Sequence, residues 1–312
     1  FSIALNRKIV ERKNNIELNI VKDSSVTLIK NIFHIRILKG KIMIPKTIHY
    51  IWLGENKPND HVKKCMQSWR VLQESGWNIK KWDDHSLQQL NPPKVVTAAL
   101  ENKKYAFAAD WLRLYVLYLE GGVYLDTDVE IIKKFDDLLT EDTAMLLGYI
   151  FDASLGTAVI GAEPGNQVIG ALLKQYETAE YQYKPETRDF KIKFEFMPEM
   201  FMVNNNDMFT AYFLKNVKGF ALTGKKCRCG DDGKIHIYPK EYFEGYSMHF
   251  KNNYSIHHCF GSWRYFENEN EKHDESILRN YLKNIYFLRW AKDKYIRMKK
   301  KNLPFQNYFV RR

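Results

Sequence analysis

The sequence predicts an α/β protein, a sheet with helices on both faces. Three observations lead there. Short β-branched runs closed by glycine or acidic residues alternate with longer stretches of helical period. One stretch, YAFAADWLRLYVLYLE at 105–120, is apolar almost all round, the mark of a buried helix. The chain of 312 residues, 45% of them hydrophobic, is long enough to bury one large core.

The elements follow in order. IPKTIHYIWLG at 44–54 reads as a buried strand closed by glycine, and a helix follows over 59–73. WNIKKW at 77–82 alternates like a second strand and ends at Trp82-Asp83-Asp84. Helices come next, broken at Pro92-Pro93. The buried helix 105–120 is stopped by Gly121-Gly122. VYLDTDVEII at 123–132 is a strand interrupted by acids. Two strands are expected around 144–150 and 157–162, then a helix from 167 to about 177. Residues 143–162 are long enough to span a bilayer, but Asp152 lies mid-span among Gly148, Gly156 and Gly161. That composition suits two strands and a turn. No internal repeat, low-complexity tract or signal peptide is legible. The chain opens on Phe, so further sequence is expected before it.

Charge is unevenly spread. Of the net +11, residues 279–312 carry eleven Lys/Arg against one Asp, and residues 1–41 carry nine against three acids. The body between is mildly acidic, which argues against a nucleic-acid partner. Three segments are expected: a basic N-terminal extension 1–41, an α/β body 42–270 and a basic C-terminal segment 271–312. The cysteines Cys65, Cys227, Cys229 and Cys259 are too sparse for a disulfide scaffold and suggest a reducing compartment. Their spacing fits no common zinc module.

The acids Asp126 and Asp128 sit one residue apart at the end of the strand begun by Val123-Tyr124-Leu125. Acids are poor strand formers. On an extended chain both would face one side, where they repel unless a cation lies between them. Hard oxygen ligands suit Mg²⁺ or Mn²⁺, with substrate phosphates completing the shell. Strand ends in such sheets are where ligands bind. A solvated turn is the plain alternative. A second is a phosphatase of the haloacid-dehalogenase type, whose Asp-x-Asp-x-Thr/Val signature is present in Asp126-Thr127-Asp128-Val129. Its further motifs are not found. In the preceding helix Asp110 and Arg113 share a face at i, i+3. A buried ion pair is seldom favourable on its own, so a polar ligand nearby is expected.

The run A-x-x-A-D-x-x-R-x-x-x-L-x-x-x-G-G-V-Y-L-D-T-D-V, residues 106–129, resembles glycosyltransferase family 32, the sugar-binding region containing a DXD motif found in bacterial capsular polysaccharide glycosyltransferases. IPKTIHYIWLG, KWDD at 81–84, IHIYPKEYF at 235–243 and IHHCFGSW at 256–263 extend the resemblance in order. It implies a GT-A fold, a Rossmann-like catalytic domain binding a nucleotide sugar and Mn²⁺ or Mg²⁺. It also implies roles. Asp128 is the main metal ligand, with Asp126 beside it. Asp110 and Arg113 grip the donor sugar, Tyr124 lies near the nucleotide, and Trp52 stacks on its base. His49 is as readily structural. Of His257 and His258, the second is expected to complete the metal shell, with Ser262 and Trp263 over the diphosphate. Asn204, Asn205 and Asp207 are expected to cap a helix or line the acceptor side.

The implied activity is anomer-retaining transfer of a hexose or N-acetylhexosamine, from a UDP-sugar in preference to GDP-mannose, to a glycan or lipid-linked saccharide in surface polysaccharide synthesis. A non-catalytic glycan-binding module is the third alternative. Residues 276–301 read as a basic helix whose apolar stripe includes Leu278, Tyr281, Leu282, Ile285 and Leu288. Such helices lie on anionic membranes, so a cytoplasmic protein peripheral at the inner face of the membrane is expected.

Overall fold

In the computed structural model, residues 43–151, 153–202, 204–244, 252–259 and 305–308 are described. The expectations for 1–41, for Ser262 and Trp263, and for the helix over 276–301 lie outside the described residues.

A seven-stranded mixed sheet forms the centre. Strand β1 (Thr47–Ile51) pairs in parallel with β2 (Asn78–Trp82) and with β3 (Gly122–Leu125). Between them come helices α1 (Asp60–Ser68), α2 (Arg70–Gln73), α3 (Asp84–Gln88), α4 (Lys94–Glu101) and α5 (Tyr105–Glu120). Strand β4 (Val129–Ile131) leaves this sheet. Strands β5 (Met145–Phe151) and β6 (Ser154–Ala162) form an antiparallel pair, and β6 runs antiparallel to β3. Helix α6 (Gln167–Gln175) follows, then a small sheet of β7 (Glu180–Lys184), β8 (Asp189–Lys193) and β9 (Phe201–Met202). After helix α7 (Asn205–Asn216), strands β10 (Cys227–Cys229) and β11 (Ile235–Tyr238) complete the main sheet in the order β10-β11-β5-β6-β3-β1-β2. The short helix α8 (Lys240–Phe243) leads towards β12 (Ser255–His257), which pairs with β4 in a separate two-stranded sheet. Within 143–162, β5 and β6 thus form a strand pair, with Asp152 outside the described residues, and among the described residues no helix is long and apolar enough to cross a membrane.

Side-chain alternation sorts the core into two layers. On β3, Val123 and Leu125 pack with Ile48, Trp69 and Phe135 on one face, while Tyr124 packs with α5 on the other. Helix α5 buries Ala108, Leu112 and Val116 completely, which explains why its sequence is apolar nearly all round. The helix expected over 59–73 is divided at Trp69, whose indole is buried and donates from Nε1 to Val129 O at 2.8 Å. That bond ties the start of β4 to the helical layer.

The turn from α5 into β3 depends on two glycines. Gly121 and Gly122 have φ of 66° and 106°. A Cβ on Gly122 would lie 2.6 Å from Thr47 O and 3.0 Å from His49 Nε2. His49 is fully buried; its Nδ1 accepts from Trp82 Nε1 at 3.0 Å, so its Nε2 carries the proton and donates to Gly121 O at 2.8 Å. Burial lowers its pKa and keeps it neutral. His49 is therefore a structural pin. Gly122→Ala is expected to destabilise the protein by at least about 1–3 kcal/mol through backbone strain alone. Urea denaturation measures this, and an unchanged midpoint would refute the assigned turn.

Candidate functional site

The site forms where the chain passes from the seven-stranded sheet to the two-stranded one. Asp126 N still donates to Ala158 O at 2.9 Å, extending the β3–β6 ladder by one residue. The chain then turns, and Val129 N donates to Asp126 O at 3.0 Å. The two aspartates therefore converge through a tight turn, and not through the extended alternation expected from sequence. The extended path cannot persist, because β4 belongs to the other sheet.

Helix α5 supplies the first counter-charge. Arg113 is buried, with Nη2 2.8 Å from Asp110 Oδ1 and Nη1 3.3 Å from Asp126 Oδ1. Nη1 also donates to Thr157 O at 2.8 Å. The guanidinium lies 4.4 Å from the centre of the Tyr124 ring, and the Tyr124 hydroxyl donates to Asp126 Oδ1 at 2.8 Å. Burial raises the Asp110 carboxyl to about 7, against the pull of Arg113 and with the push of Asp126. Burial opposes the charge on Arg113, but Asp126, Tyr124 and Asp110 outweigh it and keep the guanidinium protonated.

The second counter-charge comes from β12. Asp126, Asp128 and His257 each offer an oxygen or nitrogen, all within 4.8 Å of one another. His257 Nε2 is 3.4 Å from Asp128 Oδ1 and 3.9 Å from Asp126 Oδ2. Two carboxylates at that separation repel by roughly 3–4 kcal/mol at an effective dielectric of about 20, so the cluster needs positive charge. Burial disfavours charge on His257. Cys259, Glu244 and Asp128 favour it more strongly, and its pKa rises well above the ordinary histidine value. Two carboxylate oxygens and an imidazole nitrogen converging in this way also fit a Mn²⁺- or Mg²⁺-class cation.

Expectation and structure part at the histidines. The resemblance puts His258 beside the aspartates. Instead His257 faces them, and the His258 ring turns away to place Nε2 2.7 Å from Glu130 Oε2. Alternation explains the difference, since adjacent residues at the end of a strand face opposite ways. Asp110, Arg113, Tyr124, Asp126 and Asp128 are brought together as expected. Trp52 follows β1 at the same carboxyl edge of the sheet, half-buried, with Nε1 donating to Asn56 O at 2.6 Å.

The expected Asn204 cluster resolves into separate parts. Asn204 caps α7, its side chain accepting from Asp207 N at 3.0 Å. Asn205 is 5% exposed, and neither polar atom of its amide has a partner among the described residues. It lines a small cavity with Asp110, Phe107, Tyr176, Phe194 and Met202. Burial raises the Asp207 carboxyl to about 6. Sequence reasoning missed Asn206, whose Oδ1 accepts from Thr157 N and Oγ1 at 3.0 and 2.8 Å and so ties α7 to the strand that holds Arg113. It also missed Glu244, whose Oε2 is 2.6 Å from His257 Nδ1. Neither has a local sequence signal, because both act across long separations.

Replacing Arg113 by Met strands two carboxylates, and the protein is expected to lose roughly 3–5 kcal/mol of stability. Arg113→Lys should recover part of this, since an ammonium lacks the planar fork that meets three partners. Equilibrium denaturation of the two variants checks the order, and an Arg113→Met protein as stable as wild type would refute the network.

Known proteins resemble this chain in part. Residues 59–145 match the family described as "Glycosyltransferase sugar-binding region containing DXD motif". That stretch contains Asp110, Arg113, Tyr124, Asp126 and Asp128. The chain is 29% identical over 109 residues to inositol phosphoceramide mannosyltransferase 1 of Schizosaccharomyces pombe, covering 33% of this chain and 34% of that protein. It is 29% identical over 140 residues to an uncharacterized glycosyltransferase of Acanthamoeba polyphaga mimivirus, covering 42% and 55%. The chain therefore spans about a third to a half of the length of these relatives. Among solved structures, the PaToxG glycosyltransferase superposes with a TM-score of 0.40 at 19% identity, over 67% of this chain and 80% of that one.

Proposed function

We propose, from a chain whose residues 59–145 match the DXD sugar-binding region of glycosyltransferases, that this protein transfers a hexose or N-acetylhexosamine from a nucleotide sugar to a glycan or lipid-linked saccharide. The observation that carries the reading is the meeting of Asp126, Asp128 and His257 beside the buried Asp110–Arg113 pair. Asp126, Asp128 and His257 would hold Mn²⁺ or Mg²⁺. When bound, the cation neutralises charge on the diphosphate as it departs.

The chain's own residues do the rest. Asp110 accepts hydrogen bonds from donor-sugar hydroxyls, and Arg113 Nε, buried and unpartnered among the described residues, is free to donate to one. Asn205 offers a donor and an acceptor into the cavity it shares with Asp110. Tyr124 and Arg113 hold Asp126 in place. Trp52 suits stacking on the base at the carboxyl edge. In the reaction the bond from the anomeric carbon to phosphate breaks and one to the acceptor oxygen forms on the same face. The acceptor proton passes to the departing phosphate. A UDP-sugar is favoured over GDP-mannose, by resemblance to bacterial-type enzymes. The engagement of Asp126 Oδ1 by Tyr124 and Arg113 weighs against a phosphatase nucleophile there.

The test is release of nucleoside diphosphate from a panel of UDP-hexoses, UDP-N-acetylhexosamines and GDP-mannose, with Mn²⁺ and after chelation. Metal-dependent release from one donor, reduced at least about a hundredfold in Asp128→Asn, supports the proposal. Folded protein that consumes no donor with any metal refutes it. Asn205→Ala gives a sharper signature. It removes two buried, unpartnered polar atoms, so stability should hold or rise, while donor turnover falls about tenfold or more. A loss of stability with unchanged turnover would contradict the role given to Asn205.

The basic segment 276–301 suits docking on an anionic bilayer. Sedimentation with phosphatidylglycerol vesicles should fall steeply between low and high salt, and Lys299, Lys300 and Lys301 changed together to Glu should weaken it. Salt-independent or absent binding would remove the membrane from the account.

A further inference from the structure

We propose that Glu244 is a positioning residue. Its buried carboxylate fixes the ring orientation of His257 and keeps a proton on Nδ1, so that Nε2 faces the Asp126–Asp128 pair, carrying a proton while no cation is there and giving it up for a cation to bind. The inference rests on the metal-site reading above and adds a residue that the sequence motifs do not contain.

The geometry is specific. Glu244 follows α8, and its side chain is only 2% exposed. Its Oε2 lies 2.6 Å from His257 Nδ1, while His257 Nε2 on the far side of the ring points at Asp128. An anionic carboxylate accepts only, so Nδ1 must carry a proton when the two are bonded. In the neutral ring Nε2 is then bare, which is the form able to bind a cation. Carboxylates that hold ligand histidines in this way raise the basicity of the bound nitrogen.

The fold builds a place for this carboxylate. Asn253 Nδ2 donates to Glu241 O at 2.6 Å, Tyr254 N to Tyr242 O at 2.8 Å, and Ser255 Oγ to Phe243 O at 3.0 Å. These three bonds step along both segments together and carry the residue after Phe243 to the end of β12 that holds His257. Two glycines make the room. Gly148 on β5 and Gly156 on β6 are register partners. A Cβ on Gly148 would lie 2.7 Å from the Phe243 ring, and one on Gly156 would collide with Glu244 Oε1. Gly156 has no positive φ, so its lack of a side chain answers to the carboxylate and not to backbone strain. A buried carboxylate placed this way without a partner would be strongly unfavourable, and His257 is the partner at hydrogen-bond distance.

The experiment uses the full chain and Mn²⁺ as the probe. Affinity is read from the loss of free-ion electron paramagnetic resonance, and direct histidine ligation from nitrogen couplings in the electron spin echo. Wild type should bind Mn²⁺ with a nitrogen coupling that His257→Ala abolishes. Glu244→Leu should weaken Mn²⁺ about 10–100-fold and diminish the coupling. Glu244→Gln keeps an acceptor for Nδ1–H and should fall between the two. Gly156→Ala, which crowds the carboxylate without removing it, should resemble Glu244→Gln, and it replaces Glu244→Leu should that variant not fold. Folded Glu244→Leu with wild-type affinity and coupling overturns the proposal and leaves the metal site standing. Wild type that binds Mn²⁺ through Asp128 without a nitrogen coupling also overturns it. Wild type that binds no Mn²⁺ overturns the metal reading itself.

Discussion

Two carboxylates are forced together where β3 hands the chain from one sheet to another, and much of the surrounding structure answers that repulsion. Asp126 is met by Arg113 and the Tyr124 hydroxyl, and Asp128 by the edge of the His257 ring. Each partner comes from a different part of the chain. Arg113 is fixed because α5 is buried along nearly its whole length, and because Thr157 O takes one of its N–H groups. His257 is fixed because β12 pairs with β4, the strand that leaves the turn. The turn itself is held from below by the Trp69 indole on Val129 O. An arrangement held from so many sides keeps its charges close without needing a ligand to assemble it. This is the preorganisation that electrostatic catalysis requires.

A second feature is the polar deficit around the sugar-side residues. Arg113 Nε and both amide atoms of Asn205 are buried without partners among the described residues, and burial raises the Asp110 carboxyl to about 7. Buried polar atoms are normally satisfied, and orphans such as the Asn205 amide at the small cavity and Arg113 Nε beside Asp110 are costly in an isolated protein. They become useful where a ligand rich in hydroxyls supplies the missing partners. A site built to bond hydroxyls also rejects ligands that lack them. On the proposed reading the two halves would divide the work, an anionic cluster for a cation and phosphates, and a donor-and-acceptor cluster for a sugar.

Local chemistry made much of this legible in sequence. Helix α5 and its glycine stop, the strand ahead of the acids, and the shared face of Asp110 and Arg113 all follow from period and spacing. What the sequence concealed is long-range. The turn at Thr127 could not be told from an extended strand, because the decision belongs to the pairing of β4 with β12. The same pairing decides that His257, and not His258, meets the aspartates. Glu244 looks like any acid after an aromatic pair, and only the return of the chain to β12, with two facing glycines, gives it a role. Asn204 and Asn205 are indistinguishable as letters, yet the amide of the first caps a helix and that of the second is buried without a partner among the described residues.

The most direct test of the central claim is calorimetric titration of the protein with UDP and with GDP, each with and without Mn²⁺. The account predicts that one nucleotide binds only when Mn²⁺ is present, and that Asp128→Asn abolishes this binding without unfolding the protein. Binding that ignores the metal, or persists unchanged in Asp128→Asn, would contradict the role assigned to the paired aspartates.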